Sequence, residues 1–117
     1  MKSRILVCGG RNYFDRRVFG VSMQHLRQHF APQFCIIEGG ASGADTLARE
    51  WAFDHTVPLL EFPANWRNMG HSAGTIRNTW MLDFGLPDFV IAFPGGTGTA
   101  NMVRQAQARG IDVVHPS

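Results

Sequence analysis

One stretch, Phe89 to Asn101, constrains the fold of this chain more than any other. Its first five residues, Phe89 to Phe93, form an uninterrupted apolar run rich in β-branched and aromatic types, which is typical of a strand buried on both faces. Pro94 then ends the strand, because proline has no N–H to donate to the ladder. Apolar residues recur at helical spacing after Asn101. The stretch therefore predicts a strand, a turn and the start of a helix.

The turn within this stretch combines Gly95, Gly96 and Gly98 with the hydroxyls of Thr97 and Thr99. Glycine permits positive φ and lets backbone N–H groups approach a ligand without an intervening Cβ. Thr99 is predicted to cap the helix, and a helix N-terminus facing such a turn attracts anions. A turn that only has to be compact is the alternative, but one glycine usually suffices for that. The turn lacks the lysine of a P-loop and the third glycine of a dinucleotide fingerprint, so it predicts phosphate binding without identifying the carrier.

Length and composition limit the remaining possibilities. A chain of 117 residues corresponds to one domain, residues 1–117, and a net charge of +2 with dispersed basic residues argues against duplex nucleic acid. No apolar run approaches the roughly 20 residues that cross a bilayer, so we expect no membrane partner and a cytoplasmic location. Cys8 and Cys35 fall in predicted strands without metal-ligand spacing, and His25 and His29 have no third ligand in view. We expect no metal.

Strand and helix patterns alternate along the whole chain. Strands are predicted at residues 4–8, 34–37, 57–62, 89–93 and 111–114, with amphipathic helices between them. Asp15 is a predicted N-cap and Pro32 is expected to end the first helix. Pro58 suggests an edge position or a late start for the third strand. The alternation predicts a single Rossmann-like three-layer α/β domain with helices on both faces of a parallel sheet of about five strands, in the order 3-2-1-4-5.

Glycines cluster in the loops that leave the carboxyl ends of the predicted strands. These loops are Gly9-Gly10, Gly39 to Gly43, Gly70 to Gly74 and Gly95 to Gly98. Residues 64–74 read as the longest irregular stretch, and irregular stretches of that length are often functional. All four loops are expected to meet at one edge of the sheet, at the crevice where strands 1 and 4 diverge.

Four groups of residues form motifs along the chain. They are Gly9-Gly10-Arg11-x-Tyr13-x-Asp15, Gly39-Gly40-Ala41-x-Gly43-Ala44-Asp45, Trp66 followed by Gly70, Ala73-Gly74, Arg77-Asn78 and Met81, and Phe93-Pro94-Gly95-Gly96-x-Gly98-Thr99. Together these motifs resemble the YspA/YpsA-related branch of the SLOG superfamily over nearly the whole chain. The resemblance implies a Rossmann-like sheet that binds nucleotides or nucleotide-derived ligands. The superfamily includes the Lonely-guy phosphoribohydrolases, which release a base from a nucleoside 5′-monophosphate, and the DprA/Smf proteins, which bind single-stranded DNA.

The hydrolase motif of the Lonely-guy enzymes is only partly present. Residues 94–99 match it, but Met102 stands at the position of its glutamate, and Asn78 replaces the lysine of its Arg-Lys pair. Methionine cannot act as a base or stabilise a cationic ribosyl centre, so a carboxylate would have to come from elsewhere. Arg77, at the arginine of that pair, is also a catalytic candidate. The candidate carboxylates at strand ends are Glu38, Asp45 and Asp15, although helix capping or ribose binding accounts for each equally well.

The roles expected of the site residues differ. Arg77 should complete the phosphate site with its planar guanidinium, and Arg11 should add a second contact. Trp66 is a candidate for stacking on a base, and His71 for donating a proton. The predicted ligand-binding residues are Gly9, Gly10, Arg11, Gly39, Gly40, Ser42, Asp45, Trp66, Arg77, Asn78, Pro94, Gly95, Gly96, Thr97, Gly98 and Thr99.

Three functions are consistent with these residues. The preferred one is a binding protein or sensor for a phosphorylated nucleotide, either a nucleoside monophosphate or a ligand related to NAD or ADP-ribose, with no required cofactor. An N-glycosidic hydrolase with a relocated carboxylate is the alternative. Single-stranded DNA binding is weaker, because the basic surplus is small and no aromatic platform is evident. Helices on both faces would leave apolar stripes exposed, so a homo-oligomer, dimer or higher, is also expected.

Overall fold

Five parallel strands form one sheet in the order β3-β2-β1-β4-β5 in the computed structural model, which describes residues 3–30 and 33–116. The predicted strand order is confirmed. Strand β1 pairs with β2 on one side and with β4 on the other, so the order reverses between β1 and β4. The strands are β1 (Ser3–Cys8), β2 (Phe34–Glu38), β3 (Leu59–Glu61), β4 (Phe89–Ala92) and β5 (Asp112–Val114).

Helices cover both faces of the sheet, because successive side chains of a strand point to opposite sides. Ile5 and Val7 of β1 pack with α1 and α2, whereas Leu6 and Cys8 pack with α4 and α5. None of the helices in the described residues is long and apolar enough to cross a membrane. The helices are α1 (Arg16–Phe30), α2 (Ala44–Asp54), α3 (Trp66–Met69), α4 (Ala73–Asp83) and α5 (Thr97–Ala108), with a 3-10 turn at Gly70–Ser72.

Two local predictions at the element ends are confirmed. Asp15 caps α1, since its Oδ1 accepts the N–H of Val18 at 3.1 Å. Strand β3 lies at the edge of the sheet and begins after Pro58, whose carbonyl accepts the N–H of Ile36 at 2.9 Å. Pro32, the predicted end of α1, lies outside the described residues.

Two other local predictions are wrong. Residues 66–74 are helical rather than irregular, because α3, the 3-10 turn and the start of α4 follow one another. Asn65 caps the start of this segment, since its Oδ1 accepts the N–H of Asn68 at 3.2 Å. Thr99 does not cap α5, because the helix already begins at Thr97 and its N-cap is Gly96, without a side-chain hydrogen bond. The glycines of this turn also lack positive φ, which occurs instead at Gly40, Gly43, Gly70 and Gly110.

Candidate functional site

A cleft of about 900 Å³ opens above the carboxyl ends of β1 and β4. The switch in strand order makes the loops leaving these two strands diverge, which is where open α/β sheets place their ligands. The structure brings most of the predicted site residues to this cleft. They are Gly9, Gly10, Arg11, Asp45, Trp66, His71, Arg77, Asn78 and Pro94 to Thr99.

The first, second and last glycine loops are interlocked beneath the cleft. The N–H of Gly10 donates to the carbonyl of Pro94 at 2.9 Å, and the N–H of Ala44 donates to the carbonyl of Gly10 at 3.2 Å. Gly43 has φ +76°, and a Cβ on it would collide with the Gly10 carbonyl. A Cβ on Gly10 would lie 3.0 Å from the Pro94 carbonyl. The glycines of these loops therefore allow close backbone packing.

The N-terminus of α5 is different, because it is open. A Cβ on Gly96 or Gly98 would meet no protein atom within 4 Å, although one on Gly95 would meet Thr99. The N–H of Ala100 makes the first helical bond, to Gly96 at 3.0 Å, so the N–H groups of residues 97–99 precede the helical ladder. These groups carry the positive end of the helix dipole and lie beside the cleft.

Arg77 projects from α4 and is held on two sides. Its Nη1 donates to the carbonyl of Gly39 at 2.6 Å, and its Nε donates to Oδ1 of Asn78 at 3.0 Å. Burial lowers the pKa of Arg77, and nearby Asp45 acts in the opposite direction. An arginine side chain nevertheless remains protonated in proteins. The guanidinium is therefore a fixed positive charge at the cleft wall.

Asn78 holds the α5 turn in place. Its side chain is buried, and its Nδ2 donates to the carbonyl of Gly98 and to Oδ1 of Asn101, each at 3.1 Å. Gln105 extends the network by donating to the same Asn101 oxygen at 2.8 Å. The structure thus gives Asn78 a positioning role at the cleft, because its amide already bonds Arg77 and α5.

Among the described residues, Asp45 is the one Asp or Glu side chain that lines the main cleft. It lies in the first turn of α2 and is 7% exposed. Burial raises the pKa of Asp45, while the N–H of Ala41, which donates to its Oδ2 at 3.2 Å, and the charge of Arg77 act to lower it. A carboxylate, a guanidinium and a helix N-terminus therefore face one space.

Glu38, the other principal carboxylate candidate, lies elsewhere. It is fully buried at the end of β2, lines neither cleft, and pairs in register with Glu61 of β3. Burial, together with the Glu61 carboxyl, raises the pKa of Glu38 to about 9. Its Oε1 accepts the N–H of Gly40 at 2.5 Å. Glu38 thus holds the second glycine loop through the N–H of Gly40 and does not face the ligand cleft.

A second, smaller cleft of about 260 Å³ adjoins the first. It contains the predicted residues Gly39, Gly40 and Ser42, together with Pro63 and Ala64 of the loop after β3. Four residues line both clefts. They are Arg11, Ala41, Trp66 and Arg77. The Arg11 guanidinium carbon lies 5.0 Å from the centre of the Trp66 ring, a cation–π contact at the junction of the clefts.

Sequence reasoning missed several residues of the main cleft, including Asn12, Thr75, Asn101 and Arg104. Arg104 follows Thr97 by seven residues, or two helical turns, so its helical position was a usable signal.

Two residues considered in the sequence lie away from the cleft: Met102 is 1% exposed and packs in the core, and Asp15 caps α1. Within residues 3–30 and 33–116, no three His, Cys, Asp or Glu side chains are grouped so that they could hold a metal ion.

Comparison with known proteins identifies relatives of this chain. The Gene 61 protein of Mycobacterium phage D29 is 32% identical over 120 residues, covering 96% of this chain and 94% of that protein. The crystal structure of Acinetobacter baumannii MurG matches with a TM-score of 0.58 at 15% identity, covering 98% of this chain but only 34% of MurG. This likeness to MurG concerns the fold. The profile of one family matches residues 3–69, more than half of the sequence, and the chain belongs to that family, the YspA, cpYpsA-related SLOG family.

Proposed function

We propose that this protein binds a phosphorylated nucleotide, or a ligand derived from one, in the cleft above β1 and β4. The observation that carries the proposal is the open first turn of α5. Gly96 and Gly98 lack positive φ, and a Cβ on either would meet no atom within 4 Å beyond its neighbours in the chain and, for Gly98, the backbone of α5 itself, so neither backbone strain nor packing requires glycine there. A phosphate lying against the turn does require it, because backbone N–H groups bind an anion best without side chains in the way.

The charges around the cleft fit such a ligand. Arg11, Arg77 and Arg104 line it together with His71, and Asp45 is the acidic side chain found there among the described residues. Arginine suits phosphate because its planar group donates two parallel hydrogen bonds. Nucleotide-related binding is also supported by the SLOG family and the Rossmann-like fold.

The test compares two glycine variants, Gly98→Ala and Gly20→Ala. Gly20 lies in α1, and a Cβ on it also meets nothing within 4 Å, so it is a matched control away from the cleft. Wild type and variants are incubated with AMP, NAD or ADP-ribose while melting is followed, because a ligand that binds only the folded state raises the melting temperature. We expect Gly98→Ala to weaken binding by at least about tenfold and Gly20→Ala to leave it unchanged.

Two outcomes would contradict the proposal. One is that no phosphorylated nucleotide in the panel stabilises the wild-type protein. The other is that Gly98→Ala binds as tightly as wild type, since the missing side chain at position 98 would then serve no ligand.

Hydrolysis of an N-glycosidic bond is a second candidate, and the position of Asp45 favours it. A carboxylate in the cleft could stabilise the oxocarbenium-like centre of such a reaction, which buried Met102 cannot do. Chromatography of the same incubations would reveal released base or nicotinamide. Asp45→Asn should abolish product formation. Asp54→Asn should not, because Asp54 is exposed at the end of α2 and lines neither cleft. Ligand recovered intact from wild type would rule out hydrolysis of the ligands tested.

Self-association remains a further expectation. Several large apolar side chains are exposed on or after helices, namely Phe53, Trp80, Phe84 and Leu86. Sedimentation at high protein concentration tests self-association, and a monomer there would refute it.

Single-stranded DNA binding, the weakest of the three functions, is tested by titration at low salt, where lack of binding would exclude it.

A further inference from the structure

The smaller cleft opens where the pairing between β2 and β3 ends. Glu38 and Glu61, here called the acid pair, are the last partners in register between these strands. The two walls of the cleft that follow the acid pair are residues 39–42 and residues 63–64. These walls lie against each other, since a Cβ on Gly40 would be 3.3 Å from Pro63. The acid pair therefore stands at the base of both walls.

Glu38 has one carboxyl oxygen that lacks a donor as long as the group is ionised. Its Oε1 accepts the N–H of Gly40, but its Oε2 is buried and receives no hydrogen bond from the part of the chain that the structure describes. A buried acceptor without a donor costs free energy. A proton on Glu38 removes this cost, because the carboxyl group then donates to the carboxylate of Glu61. Such a proton joins the ends of β2 and β3.

The charges around the acid pair determine which of its members holds the proton. Glu38 is fully buried, and burial, the hydrogen bond with Glu61 and the charge of Asp45 in α2 all raise the pKa of Glu38. Glu61 is exposed, and the hydrogen bond with Glu38 and the Arg49 guanidinium of α2, 3.4 Å away, lower the pKa of Glu61. Arg77 of α4 also interacts with the charge of Glu38. The proton therefore resides on Glu38.

Glu38 is connected to the anion site through the second glycine loop. Gly40 of this loop donates its N–H to Glu38, and the carbonyl of the preceding residue, Gly39, accepts Nη1 of Arg77 at 2.6 Å. An ionised Glu38 would repel Glu61 across the base of the walls, and its negative charge would also act on Arg77. Both effects lower the affinity of the site for an anion.

We propose that Glu38 is a positioning residue for the phosphate site and that its proton keeps the site in its binding form. With the proton in place, the acid pair holds the two walls of the smaller cleft together, and Arg77 retains its charge for the ligand. Loss of the proton to solvent at alkaline pH leaves two adjacent carboxylates, separates the walls and weakens anion binding. This inference rests on the proposed function and adds to it a control of binding by pH.

The first experiment needs no ligand. The side-chain carboxyl carbons of the glutamates are followed by NMR as the pH of the intact protein is raised, and the resonance missing from Glu38→Gln identifies Glu38. We expect a midpoint near about pH 9 in wild type, and a lower midpoint in Glu61→Gln, where the neighbouring negative charge is gone. A wild-type midpoint at or below about pH 7, or the same midpoint in both proteins, would overturn the shared proton.

The second experiment measures the dissociation constants of AMP and ADP-ribose by calorimetry from about pH 7.5 to about pH 9.5, where the phosphates of both ligands keep a constant charge. In wild type we expect the affinity for both ligands to fall at least about threefold over this range, as Glu38 loses its proton. Glu38→Gln should remove this fall, because its side chain stays neutral. Glu50→Gln, in α2 and away from both clefts, should retain it. An equal fall in wild type and Glu38→Gln would overturn the positioning role.

Failure of this inference can be distinguished from failure of the proposed function. Nucleotide binding that is lost in Gly98→Ala, but changes with pH in the same way in wild type and Glu38→Gln, would contradict only the role of Glu38. No binding of either nucleotide at about pH 7.5 would contradict the proposed function and this inference together, even if Glu38 titrates as expected.

Discussion

The glycines of the interlocked loops and the glycines of the α5 turn look alike in the sequence but do different things in the structure. Gly43 has positive φ and lies against the backbone of the first loop, where a Cβ would overlap the Gly10 carbonyl. Gly98 has neither property, and a Cβ there would enter open space. The fold accounts for the first glycine but not for the second. The difference separates glycines needed for packing from a glycine that a ligand would need.

Gly43→Ala should give the largest effect, because it tests the packing side of this comparison. The alanine would be strained at φ +76° and would push the first and second loops apart. We expect a loss of about 4 kcal/mol in the free energy of unfolding, measured by urea denaturation. Gly110→Ala is the control, since its φ is also positive but a Cβ there meets no neighbour. Similar losses in the two variants would show that strain, not close packing, sets the cost.

Asn78→Ala should have the next largest effect, because it releases the open turn from α4. The substitution leaves the Gly98 carbonyl and the Arg77 Nε without the hydrogen bonds that they now make. We expect a loss of about 2 to 3 kcal/mol in the free energy of unfolding, together with weaker nucleotide binding. Asn68→Ala, at an exposed position of α3, should change the free energy of unfolding by less than about 0.5 kcal/mol. An Asn78→Ala protein as stable as wild type would contradict the positioning role.

Glu38→Gln should have a smaller effect that depends on pH. The raised pKa of Glu38 means that its stabilising contribution is fully present below about pH 4.5 and is lost as pH rises towards about 9. The lowered pKa of exposed Glu61 acts in the opposite direction and offsets part of this loss. Glutamine retains a side-chain oxygen that accepts the N–H of Gly40, but it carries no charge. We therefore expect the advantage of Glu38→Gln over wild type in the free energy of unfolding to grow between about pH 5 and pH 8, by roughly 1 to 2 kcal/mol.

The measurement for this variant is urea denaturation of both proteins across that pH range. Glu50→Gln is the control, because Glu50 forms a surface ion pair with Arg16 at 3.2 Å, and such pairs contribute little to stability. A difference between Glu38→Gln and wild type that does not change with pH would show that the buried carboxyl is not protonated in the folded protein.

The fold could be predicted from the sequence because its strongest signals are local. The apolar runs of β1, β2 and β4 are unambiguous, and strands that alternate with helices permit few topologies. The helical segment that begins at Trp66 could not be predicted in this way, because α3 has only four residues and no apolar period can be recognised over that length. Asn65 before it was the available signal, since asparagine often caps helices.

The candidate site could be predicted as a set of loops, but not as a set of contacts. Strand order was enough to bring Gly9, Gly39 and Gly95 to one edge of the sheet. It was not enough to show that Glu38 faces Glu61, because that pairing depends on the register of β2 and β3. The hydrogen bonds of Asn78 to α5 likewise depend on how closely α4 approaches α5, and no sequence motif determines the distance between these helices.

Gly98→Ala and Gly20→Ala should have the smallest effects on stability, and they provide the sharpest test of the comparison. Both glycines are helical and both have open space where a Cβ would lie, so alanine should be neutral or should add up to about 1 kcal/mol through its better helix propensity. Thermal and urea denaturation without ligand measure this directly. A loss above about 2 kcal/mol in Gly98→Ala alone would place Gly98 with Gly43 among the packing glycines. Unchanged stability would instead leave weakened nucleotide binding as the only cost of a side chain at position 98, which is what an anion lying against the first turn of α5 requires.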